Sequence, residues 1–140
     1  MNSFFVLNTP GQVSVNAQYA GYVIFYKKSK DATTAEIQLS LLSKLIENGL
    51  KLSTENFLFI DTSSQHARIS SLKKSLEIKK CFFFGVLEKE IGINIDIPLY
   101  QLVEVGETEF LKADAPEMLE KEKLLKNQLW KQLQISFKLI

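Results

Sequence analysis

The sequence predicts an α/β fold, a three-layer α/β/α sandwich around a mostly parallel central sheet of four to five strands. Three observations predict it. Short, continuous apolar runs recur at Tyr22-Val23-Ile24-Phe25-Tyr26, Phe57-Leu58-Phe59-Ile60 and Cys81-Phe82-Phe83-Phe84, the pattern of strands covered on both faces. Stretches with helical spacing separate these runs. The chain then closes on a long amphipathic stretch.

The first strand, 22–26, is stopped by Lys27-Lys28-Ser29-Lys30. From Thr34 to Asn48, residues Ile37, Leu39, Leu41, Leu42, Leu45 and Ile46 are spaced close to a helical stripe, and Gly49 supplies a stop. The second strand is Asn56 to Asp61, followed by Thr62-Ser63-Ser64, which offer caps for a helix carrying Ile69, Leu72 and Leu76. The third strand ends at Gly85, and a short helix is predicted from Val86 to Glu90. Ile93, Ile95 and Ile97 alternate with polar residues and Pro98, which suits an exposed connection or edge. Leu99 to Val105 and Thr108 to Lys112 read either as two strands about Gly106-Glu107 or as one bent strand. A final helix is predicted over about Pro116 to Gln134, with Met118, Leu119, Leu125, Leu129 and Leu133 toward the core.

At 140 residues, 46% of them hydrophobic and ten of them Phe, the chain can close one core, so one domain is expected over 1–140. Within it, 1–20 form an N-terminal extension, 21–134 the core and 135–140 a tail. Seventeen basic and sixteen acidic residues give a net charge of +1, which argues against a broad positive field for phosphate backbones. One Cys excludes a disulfide within the chain, and one Cys with one His argues against a transition-metal site; no cofactor is expected. The first residues lack a signal-peptide pattern and no window is long enough to span a bilayer, so a cytoplasmic location is expected.

Single residues carry competing readings. Lys27, Lys28 and Lys30 fall at the carboxyl end of the first strand, where open α/β sheets bind ligands, and read as a solvated loop or as a contact for phosphate or an acidic partner. Asp61 ends a buried strand at the same edge, so its carboxylate must be capped by backbone N–H groups or paired with a lysine. Trp130 reads as a core residue of the last helix and Cys81 as a small hydrophobe. His66, beside a helix start, reads as a neutral, solvent-facing ring.

The segment Asp114-Ala115-Pro116-Glu117-Met118-Leu119, running on to Leu125 and to Trp130 fourteen residues after the proline, resembles the closing segment of the uracil-DNA glycosylase superfamily. There a His-Pro-Ser turn caps a helix carrying a Leu-Leu pair and a tryptophan at that interval. Leu41 to Leu50 followed by Phe57 to Asp61, and Leu72 to Gly85, are similar to further pieces of the compact bacterial and archaeal members. The resemblance covers roughly 20–134 and implies a uracil-DNA glycosylase-like fold. It also implies lost chemistry, because the motif's histidine falls on Ala115, its pyrimidine-reading asparagine on Asp61, and its Gly-rich turn on the glycine-free Tyr26 to Lys30.

The chain is most similar in character to the catalytically inactive psi subunit of bacterial DNA polymerase III. That likeness implies a non-catalytic, protein-bridging role in DNA replication or repair, with a chi-like subunit or the clamp loader as partner and DNA contact weak or indirect. Phe4 and Phe5 in the N-terminal stretch and Phe137 in the tail are the candidate partner-binding residues. Tyr26, Lys27, Lys28, Lys30, Asp61 and Asp114 form the candidate ligand or partner pocket. Two alternatives stand beside this reading: a divergent glycosylase positioning water through Asp31 or Asp61, and a small-anion or nucleotide-binding α/β domain.

Overall fold

A computed structural model describes residues 7–9, 12–13, 17–64 and 68–139. A small antiparallel pair, β1 (Leu7–Thr9) and β2 (Gln12–Val13), precedes a five-stranded sheet of β3 (Tyr22–Tyr26), β4 (Phe57–Asp61), β5 (Lys80–Phe84), β6 (Val103–Val105) and β7 (Thr108–Ala113). The sheet order is β4-β3-β5-β7-β6. β3, β4, β5 and β7 run parallel, and β6 turns back antiparallel to β7 through Gly106-Glu107. The two-strand reading of 99–112 is therefore the one the chain adopts, with Leu99 reduced to an isolated bridge to Lys112.

Alternation along the strands divides the core in two. Ile24, Tyr26, Phe57, Phe59, Phe82, Phe84, Leu111 and Ala113 face one side, covered by α1 (Ala32–Lys44), α3 (Pro116–Lys121) and α4 (Lys123–Ser136). Val23, Phe25, Leu58, Ile60, Cys81, Phe83 and Phe110 face the other, covered by α2 (Ile69–Ser75) and by Val86, Ile91 and Ile97 of the connection after β5. With both faces covered, the strands need no polar positions, which is why their sequences are unbroken apolar runs. All three phenylalanines of Phe82-Phe83-Phe84 are buried, so none offers a ring for stacking bases. Cys81 is fully buried, and burial pushes its thiol up, away from the reactive thiolate.

The last helix departs from expectation. It breaks at Glu122, whose backbone (φ −109, ψ 94) is extended, into α3 and α4. The break shifts the helical phase, so Met118, expected in the core, is 46% exposed, whereas Leu119, Leu129 and Leu133 are buried. The predicted 34–48 helix is instead α1 followed by a π-helical turn, Leu45–Gly49. That turn meets α4: a Cβ on Gly49 would lie 2.9 Å from Cζ3 of Trp130, closer than real side chains approach. Trp130 is half-buried against this glycine rather than enclosed in the core.

The tail folds back on the sheet. Phe137 packs edge-on to Tyr22 (5.1 Å between ring centroids) and stacks on Phe82 (6.1 Å). The Lys80 ammonium lies 5.0 Å from the Phe137 ring centre and donates to Glu109 Oε1 and to the Ser136 carbonyl, each at 3.0 Å. Phe137 is thereby occupied within its own domain, while Phe4, Phe5 and His66 lie outside the described residues. No helix among the described residues is long and apolar enough to cross a membrane.

Candidate functional site at the carboxyl edge of the sheet

From β3 the chain moves to one side, to β4, and then crosses to the other side, to β5. Open α/β sheets bind ligands outside the strand carboxyl ends at such a reversal, here between the loops that follow β3 and β5.

Asp61 stands opposite Tyr26 in register at the end of β4. Its Oδ1 accepts from the Lys28 N–H at 3.0 Å, the Ser63 N–H at 3.0 Å and the Ser63 hydroxyl at 2.6 Å, and its Oδ2 from the Ser64 hydroxyl at 3.2 Å. Ser63 and Ser64 thus serve Asp61 and Thr62 the Tyr26 carbonyl, while α2 starts later, from Arg68, without a side-chain cap. The residue that ends the strand captured the turn before the helix could. Partial burial raises the Asp61 pKa, but the hydrogen bonds from Ser63, Lys28 and Ser64 outweigh it and hold the carboxyl below its ordinary 3.8. Burial, with the Asp61 charge beside it, pushes the neighbouring Tyr26 hydroxyl up to about 12.

Because the folded pKa of Asp61 is depressed, its stabilising contribution is complete above 3.8 and is lost as pH falls through the folded value. Asp61→Asn is therefore expected to lose less stability than wild type on acidification below 3.8. Urea midpoints of both proteins at neutral and acid pH check this. Equal losses would show that the carboxylate is not held as described.

The Lys27 ammonium reaches across the reversal to Glu90 Oε2 at 2.7 Å, and Glu90 Oε1 accepts from the Leu87 N–H at 2.8 Å. Burial alone would raise the Glu90 pKa, but Lys27 and the Leu87 N–H hold it low. This pair links the loop after β3 to the segment after β5. On the α1 side, Gln38, 1% exposed, donates to the Lys27 carbonyl at 2.9 Å and to Glu117 Oε1 at 2.8 Å, and accepts from the Ser29 N–H at 2.9 Å. Nothing in a stripe of apolar residues singled out Gln38, yet it ties the β3 loop to α1 and α3. Asp31 caps α1, accepting from the Thr34 N–H and hydroxyl at 2.9 and 2.7 Å. The side chains of Lys28 and Lys30 are left in solvent without a carboxylate partner among the described residues.

Asp114 does not join this group. It follows β7, and β7 is separated from β4 by β3 and β5, so it stands about three strand spacings, roughly 14 Å, from the end of β4. Its Oδ2 accepts from the Tyr100 hydroxyl at 2.5 Å and its N–H donates to the same hydroxyl at 3.2 Å. Burial first, and the Asp114 contact second, raise the Tyr100 pKa. The candidate pocket thus divides into Tyr26, Lys28 and Asp61 on one flank, Lys27 bridging the middle, and Asp114 with Tyr100 on the other.

Ala115 lies between these flanks as the first residue before α3. Gly85, at φ +67 after β5, is held against it: a Cβ on Gly85 would lie 2.8 Å from the Ala115 Cβ. Glycine is required there both by the backbone and by that contact. No group of three or more His, Cys, Asp or Glu among the described residues is placed to hold a metal ion. Comparison with protein-family models, with curated proteins and with solved structures finds no match to this chain.

Proposed function

We propose that this chain is a non-catalytic protein-interaction subunit of DNA replication or repair, with a uracil-DNA glycosylase-like fold and the character of the polymerase III psi subunit. The observation that carries the reading is the state of the carboxyl edge. Excision of a base needs a positioned water and a stabilised leaving group, each supplied by preorganised polar groups. Here the motif's histidine position is a methyl group packed on Gly85. The carboxylates of the divergent-enzyme alternative are committed locally, Asp61 to its turn and Asp31 to the α1 cap. A surface that binds another protein asks for none of these groups.

The purified protein is expected to release no uracil from single- or double-stranded DNA beyond a buffer control. Release that disappears in Asp61→Asn or Asp31→Asn would overturn the reading in favour of a divergent glycosylase. Affinity capture from native extract, with mass spectrometry, tests the positive half. A chi-like subunit or clamp-loader component among the captured proteins supports it, and exclusive capture of unrelated metabolic enzymes counts against it.

A further inference from the structure

Between the α1 end and α4 lies a groove of about 280 Å³, floored by Leu41, Leu45 and the half-buried Trp130 ring and flanked by Lys44 and Lys126. We propose that this groove binds a short acidic peptide segment, seating one large apolar side chain on Trp130 and its carboxylates on Lys44 and Lys126. The inference rests on the protein-interaction reading and names the chemistry of the partner.

Three observations point to this occupant. The volume lies at the low end for ligand pockets, which suits a single side chain rather than a cofactor. The charge is one-sided: the groove lining holds two lysines and no carboxylate, and α4 carries Lys123, Lys126 and Lys131 with no acid at all. Lys27, Lys80 and Lys112 each have a carboxylate partner within the domain, whereas Lys44 and Lys126 have none among the described residues. Glu36 and Glu120 line a neighbouring depression that shares Lys44, so Lys126 is the cation of the groove farther from acidic side chains. Single-stranded nucleic acid is the weaker candidate, because two flanking cations on a chain of net charge +1 neutralise few phosphates.

Trp130 is the chain's one tryptophan, so its emission reports directly on the groove. The test pans a phage-displayed library of short random peptides on the full chain, with the K44E/K126E variant as counter-selection. The expected winners carry an aromatic residue or Leu among several Asp or Glu. Titrated as free peptide, a winner should shift Trp130 emission, bind roughly tenfold more weakly to K44E/K126E, and weaken as salt rises. Unchanged circular dichroism and urea midpoint are expected of K44E/K126E, since Lys44 is exposed and Lys126 only partly buried.

The proposal is overturned if no sequence is enriched over the counter-selection, if the winners lack acid, or if Trp130 emission is unmoved. It is also overturned if oligothymidine at physiological salt binds the groove more tightly than the winning peptide. These results are separable from the broader reading. Failure of the groove with a partner still captured leaves the protein-interaction role intact, and uracil release defeats that role whatever the groove does.

Discussion

Phe83→Ala is expected to lower the unfolding free energy by about 3–5 kcal/mol, the cost of emptying a large aromatic site in a packed core. Phe83 is 0% exposed on β5, the strand between β3 and β7, and packs with Val23, Phe25, Leu58 and Phe110. Backbone pairing on both sides restrains the sheet from collapsing into the space. Since ordinary domains are stable by about 5–15 kcal/mol, this one change should remove a large share of the total. Phe83→Leu, which keeps most of the volume, should cost about 1–2 kcal/mol. Urea denaturation of the three proteins measures both, and a loss below about 1 kcal/mol for Phe83→Ala would mean the ring does not sit in the core.

The second large effect joins Trp130 to Gly49. Trp130→Ala is expected to cost about 2–3 kcal/mol, less than a fully enclosed tryptophan, because part of the ring faces the groove. Gly49→Ala should also destabilise, by about 1–2 kcal/mol, since its Cβ would displace the indole. In the Trp130→Ala background that obstacle is gone. Gly49 has no positive φ and sits in a helical turn, so alanine there should then stabilise by about 0.5–1 kcal/mol. The sign reversal is a coupling between two residues in contact, which a double-mutant cycle reads directly. If Gly49→Ala destabilises equally in both backgrounds, the two residues do not touch as described.

What was legible in the sequence follows from what each element needs. Strands covered on both faces must be apolar throughout, so Tyr22 to Tyr26, Phe57 to Ile60 and Cys81 to Phe84 announce themselves, and parallel pairing follows from the helices between them. The break at Glu122 was not legible, because neither Pro nor Gly marks it and the apolar spacing on each side is helical. The grouping of the candidate site was legible only in part. Tyr26 and Asp61 end neighbouring strands, which the chain order of strands suggests, but the placing of Asp114 two strands beyond β3 depends on sheet order. Gln38 was hidden for another reason: a buried amide inside an apolar stripe shows its purpose only when its three partners are seen.

The two sides of the sheet differ in when their covering is made. Phe25, Leu58 and Phe83 are roofed by α2 and by Val86, Ile91 and Ile97, all of which precede β6 in the chain. Ile24, Phe57, Phe59 and Phe82 wait for Leu119, Leu129 and Leu133, which come after every strand. During synthesis, then, a nascent chain can cover one face of β3, β4 and β5 while the opposite face has only α1 and the π-helical turn with Leu50 over it. That half-covered aromatic surface is what a chaperone would meet on the emerging chain, and the arrival of α4 ends the exposure.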